Sequence, residues 1–337
     1  MPVFVSILLP FYNAMDTLPA CLDSIQAQTH PYWELIAVND HSTDGSDNWL
    51  YKQARRDQRI HMLNNPAKGL VAALNYGLSS CNHELVVRMD ADDIMYPRRL
   101  SHQLRHFDSS PGLALSSTRV RLFPDELLQA GNREYLRWQN DCCSQRDIAN
   151  QIYIESPFAH PSVCFRKSVV EKVGAYREGL FPEDYDLWLR LFHSCHVMEK
   201  LPEVLLDWRD SPNRVSRTDP RCSREAFDRL KAWHLAQDNR LLRHKNNFVI
   251  WGAGRKTRKR CQFLLDQGFK PKAWVDIDPK KIGNRLQGIP VIEWQALAKD
   301  PGTYILVAVG NNGARTAIIE ALLDMGFDWG SGFLPIT

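Results

Sequence analysis

Short apolar runs alternate with amphipathic stretches through the first ninety residues, the pattern expected of successive β/α units. Val3–Leu9, Glu34–Asn39 and Glu84–Met89 have the length and apolar content of buried strands. Between them, Thr17–Gln28, Ser46–Arg56 and Leu70–Ser79 carry apolar residues at helical spacing, and Asp44-Gly45-Ser46 supplies a turn and a cap for the second of these. The order β-α-β-α-(β)-α-β predicts a mostly parallel sheet covered on both faces. Polar residues gather just after the strands, at Asn13, Asp40 and Asp90 to Asp93, where open α/β sheets place their ligand crevice.

The pattern weakens from Pro124 to Gln151, a region expected to contribute loops and helices. Order returns with a strand at His160–Phe165, a helix at Lys167–Val173 stopped by Gly174, and a helix at Asp184–Cys195. Ser223–His244 reads as one long amphipathic helix, the natural linker. A second α/β unit then begins at Asn247: strand Phe248–Trp251, turn Gly252-Ala253-Gly254, helix Arg258–Gln267, strand Lys272–Asp276, and the pair Tyr304–Val309 and Asn312–Met325. The expected division is residues 1–222, a helical linker 223–246, and a smaller Rossmann-like domain 247–337.

Composition changes this picture little. The chain has 337 residues, 44% hydrophobic and 24% charged, enough for two globular domains. No run approaches the roughly 18 apolar residues of a membrane span, and no Lys or Arg precedes Val3–Leu9 to make it a signal peptide. The eight cysteines lack any C-x-x-C pair, so they read as reduced thiols of a cytoplasmic protein. Between Arg209 and Arg260 fifteen Lys/Arg stand against five Asp/Glu. That excess suits a peripheral contact with the inner face of a membrane or a phosphorylated acceptor, and equally a solvated charged helix. Nothing in the pattern calls for nucleic acid.

The candidate chemistry lies in carboxylates. Asp90-Ala91-Asp92-Asp93 follows an apolar strand, and such clustered charge is stable mainly when a divalent cation such as Mg²⁺ or Mn²⁺ neutralises it. An acidic turn capping the helix near Pro97 is the other open reading. Asp40, at the end of a strand, can accept a hydrogen bond from the imide N–H of a uracil or thymine ring. Pro10-Phe11-Tyr12-Asn13 offers an aromatic ring for base stacking or a mere strand end. Glu183-Asp184-Tyr185-Asp186 opens an apolar helix, where a carboxylate acts either as helix cap or as general base.

In order and spacing, Val5-Ser6-Ile7-Leu8-Leu9-Pro10-Phe11-Tyr12-Asn13, Asn39-Asp40-His41-Ser42-Thr43-Asp44-Gly45-Ser46, Met89-Asp90-Ala91-Asp92-Asp93 and Glu183-Asp184-Tyr185-Asp186-Leu187-Trp188 resemble the motifs of a family 2 glycosyltransferase of the GT-A fold. The resemblance spans Val3 to about Ser216. It implies that Pro10, Tyr12, Asn13 and Asp40 line a nucleotide pocket, with a UDP-sugar favoured as donor. Asp90 and Asp92 would form the D-x-D pair, Asp92 being the direct ligand of Mn or Mg, and Asp184, beside Glu183, the base. It further implies that His160 touches donor or acceptor, and that Trp208-Arg209 and Arg214-Val215-Ser216 form a return loop whose arginines clamp the departing diphosphate. The implied reaction is inverting transfer of a sugar to a hydroxyl of a glycan or lipid-linked acceptor in cell-surface polysaccharide or lipopolysaccharide assembly. The chain departs from the family at Asn39 and His41. It also lacks the Q-x-x-R-W of processive synthases, Glu134-Tyr135-Leu136-Arg137-Trp138 being the nearest approach, which points to addition of a single sugar.

In the C-terminal unit, Gly252 and Gly254 sit where a strand enters a helix, the setting for phosphate, and Asp276 closes the next strand where a ribose-binding acid would stand. The third glycine of the dinucleotide fingerprint is Thr257, and Arg255-Lys256-Thr257-Arg258-Lys259-Arg260 replaces the usual small residues. A second nucleotide site and a purely structural domain both remain open. Rival readings are a nucleotide-dependent oxidoreductase centred on this half, a sugar-1-phosphate nucleotidyltransferase, and a scaffold with a decayed site. The second expects a Gly-rich basic loop where Pro10-Phe11-Tyr12-Asn13 stands.

Overall fold

The computed structural model describes residues 3–124, 130–211, 214–300 and 302–337. Up to Thr218 the elements are β1 (Val5–Phe11), α1 (Leu18–Gln26), β2 (Trp33–Asn39), α2 (Ser46–Ala54), β3 (Ile60–Asn64), α3 (Leu70–Ser80), β4 (Leu85–Arg88), β5 (Ile94–Met95), α4 (Arg99–Ser109), β6 (Leu113–Phe123), α5 (Ala130–Asp141), α6 (Gln145–Gln151), β7 (Cys164–Arg166), α7 (Lys167–Lys172), α8 (Glu183–His193), β8 (Val197–Arg209) and α9 (Val215–Thr218). There follow α10 (Arg224–Leu235), α11 (Asn239–Leu242), β9 (Phe248–Trp251), α12 (Arg255–Leu265), β10 (Trp274–Asp276), β11 (Arg285–Leu286), β12 (Ile289–Glu293), β13 (Tyr304–Val307), α13 (Asn312–Asp324) and β14 (Phe333–Pro335).

The chain divides into two compact units. One comprises Met1–Ile148, Pro157–Gly179 and Glu183–Thr218, the other Ala149–Ser156, Leu180–Pro182 and Asp219–Thr337. The first holds an eight-stranded mixed sheet in the order β3-β2-β1-β4-β7-β6-β8-β5. Its β3-β2-β1-β4 half is parallel, and β7 enters antiparallel to both β4 and β6. Every residue of β1 and β2 is buried, as expected of strands covered on both faces. Helix α3 packs closely on this half: a Cβ at Gly77 would fall against Leu8 and 2.8 Å from Cγ2 of Val38, so only glycine permits the approach. The core side of the sheet gathers Ile7, Leu9, Leu22, Ile25, Leu35, Val87 and Leu100 into one apolar cluster. This half therefore forms a rigid base, and the loops after β2, β1 and β4 emerge side by side at its carboxyl end.

Two expectations are corrected. His160–Phe165 is not one strand: His160–Ser162 is a 3₁₀ turn, closed by the Ser162 N–H and hydroxyl on the Ala159 carbonyl, and pairing starts only at Cys164. Pro161 has no N–H to give a ladder, so the strand cannot begin earlier. Nor is Ser223–His244 one helix, because Asp238 accepts from the Arg240 N–H and caps a new helix, ending the run at Leu235. Trp208 and Arg209, read as part of a loop, close strand β8.

The second unit carries a six-stranded sheet in the order β11-β12-β10-β9-β13-β14, parallel except for the β11–β12 pair. Val249, Val275, Ile305, Val307, Leu322 and Phe333 fill its core. Among the described residues, no helix is long and apolar enough to cross a membrane.

Candidate active site

The loops after β1 and β2 are tied together by their own polar groups. Asn13, at φ 46°, donates its N–H to the Ser42 hydroxyl at 3.0 Å, and its side-chain carbonyl accepts from the Thr43 N–H at 2.7 Å. Asp44 accepts from the Met15 N–H at 2.8 Å and from the Ser46 hydroxyl at 2.6 Å, so it braces both loops instead of simply capping α2. Asn39 accepts from the Ser42 N–H and donates to Asn64. That double role suits an amide and explains its presence where the family pattern has a carboxylate. Asp40 accepts from the Gly69 N–H, 3.0 Å from each oxygen, and from the Asn65 side chain at 2.7 Å. Pro10 ends buried within β1, whereas the Tyr12 ring is 55% exposed and free to stack on a ligand.

After β4 the three carboxylates of Asp90, Asp92 and Asp93 offer oxygens that all lie within 4.8 Å of one another. Packed negative charge and burial resist ionisation. The Asp92 carboxyl is pushed up to about 6 by burial and the charge of Asp90, and Asp93 is raised by burial and by both neighbours. Asp93 is buried; one oxygen accepts from the Arg209 N–H at 2.7 Å, and the other has no partner among the described residues. An all-oxygen donor set with an orphaned carboxylate oxygen fits a hard divalent cation such as Mg²⁺ or Mn²⁺. The sequence pattern singles out Asp90 and Asp92; the structure adds Asp93.

Arg209 and Arg214 approach this cluster. The Arg209 Nε donates to the Asp92 carbonyl at 2.7 Å while its guanidinium lies over the Phe123 ring, and Arg214 stacks on Trp208 at 4.1 Å. Both charges favour the ionised form of Asp92. Buried Asp210 anchors the segment through Arg217 at 2.8 Å and Asn132 at 3.0 Å. The side chains of Val215 and Ser216 lie outside the described residues.

Asp184 stands in the first turn of α8, partly exposed, with one oxygen accepting from the Tyr185 N–H at 2.7 Å. Burial first, and then the charge of Glu183, push its carboxyl up to about 7. Glu183 itself is buried. Asp186, by contrast, is spent structurally: it holds Arg190 at 2.7 Å, and that guanidinium clamps the Val173 and Ala175 carbonyls of the turn before α8. His160 is buried, its Nε2 at hydrogen-bond distance (2.9 Å) from the Tyr176 hydroxyl, and burial holds the imidazole neutral. The structure thus places His160 against Tyr176 and Trp188. Arg88, buried at the end of β4, pairs with Asp90, and its charge reaches Asp184, Tyr176 and His160. Neither Arg88 nor Tyr176 stands out in the sequence; the available signal is a lone cation closing an otherwise apolar strand, directly before the acidic cluster.

In the second unit, Gly252 has φ 124° and would bring a Cβ to 3.2 Å from the Ala308 carbonyl, so the turn after β9 requires glycine. Gly254 precedes α12 and caps it with no side chain. Asp276 accepts from the N–H groups of Ala253, Ile277 and Asp278 and pairs with Lys281 at 3.1 Å. Its carboxylate braces the glycine turn.

A mixed sheet with three adjacent loops at its carboxyl edge, a carboxylate cluster suited to a cation and a separate carboxyl poised near neutrality defines a glycosyltransferase of the GT-A class. The chain belongs to glycosyl transferase family 2, whose model matches residues 6–174. It is 33% identical over 217 residues to the amylovoran biosynthesis glycosyltransferase AmsE of Erwinia amylovora, covering 63% of this chain and 78% of that protein. It is 31% identical over 202 residues to an Escherichia coli UDP-Gal:α-D-GlcNAc-diphosphoundecaprenol β-1,3-galactosyltransferase, covering 59% and 71%. The fold matches Staphylococcus aureus TarS residues 1–349 in complex with UDP-GlcNAc at TM-score 0.56 and 14% identity, over 78% of this chain and 71% of that one.

Proposed function

We propose that this enzyme transfers a sugar, with inversion, from a nucleoside-diphosphate donor to a hydroxyl of a glycan or lipid-linked acceptor in the assembly of a cell-surface polysaccharide. The observation that carries the reading is the pairing, within one unit, of a three-carboxylate cluster at Asp90, Asp92 and Asp93, suited to a cation, with a second carboxyl, Asp184, held near 7. A donor with UDP as its nucleotide is supported by the relative named for UDP-Gal and by the exposed Tyr12 ring beside Asp40, whose remaining acceptor capacity suits an imide N–H. A lipid-linked acceptor is likewise supported by that relative's name. Peripheral membrane contact belongs to the same reading and draws on the basic Arg209–Arg260 stretch.

In this mechanism Tyr12 stacks on the base and the β1 and β2 loops, cross-braced by Asn13, Ser42 and Asp44, hold the nucleoside. Asp90, Asp92 and Asp93 would hold Mn²⁺ or Mg²⁺, which supplies positive charge to the diphosphate. Arg214 adds a second cation on that side. Asp184 takes the proton from the acceptor hydroxyl as its oxygen attacks the anomeric carbon opposite the diphosphate. A base near 7 is matched to that task, because it is substantially ionised at neutral pH yet still basic enough to accept a proton.

A thermal-shift screen of UDP, GDP, ADP and dTDP with and without Mn²⁺ tests the reading. UDP with Mn²⁺ should raise the unfolding temperature, consistent with the roughly 2.7 kcal/mol expected at a hundredfold excess over Kd. Failure of every nucleoside diphosphate to stabilise the protein in the presence of metal would remove it.

A further inference from the structure

The run Arg255-Lys256-Thr257-Arg258-Lys259-Arg260 opens helix α12 with five cations in six residues and no acid in the first turn. A helix N-terminus carries about half a positive charge of its own, so cations there are unfavourable. Arg255 and Lys259 also stand four residues apart, where like charges on a helix repel. Two of the five cations are spent within the unit: Arg260 turns to buried Asp228 at 3.6 Å, and the Arg258 Nε donates to the Ala253 carbonyl at 3.2 Å. The side chains of Arg255, Lys256 and Lys259 have no ion pair or hydrogen bond among the described residues. Charge that breaks the local preferences of a helix with no internal compensation points to a partner outside the chain.

Arg255, Arg258 and Lys259 line a groove of about 430 Å³, within the roughly 300–1,000 Å³ of small-molecule sites. Its other walls come from α10 and from the turn between β11 and β12, so three separate segments build it. The turn contributes Gln287, whose amide donates to the Gln262 side chain at 3.0 Å and keeps a second N–H unspent. Phe263 lies in the groove with Arg229 of α10 over its ring at 4.9 Å. The single carboxylate of the lining, among the described residues, is Glu225, which meets Arg229 at 3.0 Å in a solvent-exposed pair. Such a pair is weak. Three cations thus face one carboxylate that already has a partner, and the groove is net positive.

We propose that this groove is an anion site of the second unit, which takes the phosphate or diphosphate group of a ligand between Arg255 and Lys259 on the helix and Gln287 on the turn. An oxyanion there offsets the adverse charge at the start of α12 and accepts from three separate donors. Asp276, spent on the glycine turn, is not among the lining residues. The phosphate is either that of a soluble molecule or that of a lipid headgroup, and the two sources are separable. The inference stands apart from the reading of the first unit, because it is read by binding and needs no turnover.

Titration calorimetry of the full-length protein with inorganic pyrophosphate, at physiological salt and free of divalent metal, tests the site. Saturable binding is expected, and Arg255→Gln and Lys259→Gln should each weaken it by about tenfold or more, the worth of a hydrogen bond to a charged group. Glu225→Gln should tighten it, because an opposing charge leaves the groove and Arg229 is released. Lys256→Gln removes the same charge from the same turn but outside the lining, and should change affinity little. Flotation with phosphatidylcholine vesicles containing phosphatidic acid identifies the source. Vesicle binding that pyrophosphate displaces assigns the site to a lipid headgroup, and pyrophosphate binding without vesicle binding assigns it to a soluble ligand; either result upholds it. Absence of binding to both probes overturns the proposal. So does an affinity unchanged in Arg255→Gln and Lys259→Gln, or a loss in Lys256→Gln as large as theirs, which would mean diffuse attraction to a basic surface.

Discussion

Each of the two sheets places aspartate at the carboxyl end of a parallel strand, and the two ends have opposite electrostatics. Asp276, closing β10, spends its carboxylate on three N–H groups and Lys281, and against the pull of burial these partners hold it below the usual carboxylate range. After β4, half-buried Asp92 and buried Asp93 sit among like charges, one Asp93 oxygen is orphaned, and both carboxyls are pushed upward. The same topological position is thus a brace in one unit and, in the function proposed above, a cation site in the other. What distinguishes them is unspent hydrogen-bonding capacity: a satisfied carboxylate stabilises the chain, whereas an unsatisfied one invites a ligand.

The largest effect that would break this contrast lies at the base. Asp184→Asn should lower kcat by about 10²–10⁴ while leaving UDP binding intact, checked by turnover and calorimetry; equal turnover would remove Asp184 from its role. Next, Asp92→Asn should weaken Mn²⁺ binding by at least the roughly 10–100-fold that loss of a supporting partner costs, together with metal-dependent donor binding, read by calorimetry.

The pH dependence sharpens the same point. As the proposed base, with its carboxyl pushed up to about 7, Asp184 has to lose its proton to act, so kcat should fall about tenfold per pH unit on the acid side of 7. Stability runs the other way. A carboxyl raised in the folded state binds more protons there than in the unfolded chain, so its stabilising contribution is full at low pH and is lost as pH climbs from its ordinary value through about 7. Asp184→Asn should therefore unfold at a higher temperature than wild type at pH 8 and at a similar one near pH 4. The smallest effect on chemistry belongs to the second unit. Asp276→Asn should cost about 1–3 kcal/mol of stability, measured by denaturant unfolding, with sugar transfer unchanged; a loss of transfer without a loss of stability would make the two ends alike.

Much of the first unit is legible directly. The strands β1, β2 and β4, their intervening helices and the acidic run after β4 are local patterns, because an apolar run, a turn residue and a cap act within a few positions of each other. The pattern misleads where one residue outweighs it: Pro161 denies a strand its start, and Asp238 cuts an amphipathic run in two. The site is legible as a set of carboxylates but not as a circuit. Nothing local in the chain announces that His160 meets the Tyr176 hydroxyl or that the Arg209 N–H closes on Asp93.

By itself the sequence determined the first β/α units, the acidic and aromatic residues placed after successive strands, and through them the family. Only the tertiary structure decided which carboxylates are satisfied and which are not. Asp90, Asp92, Asp93, Asp184, Asp186 and Asp276 are chemically the same side chain, and composition cannot tell them apart. Burial, the charges brought alongside from distant segments and the number of N–H groups each oxygen meets are properties of the folded molecule, and these separate a satisfied carboxylate from one with capacity to spare.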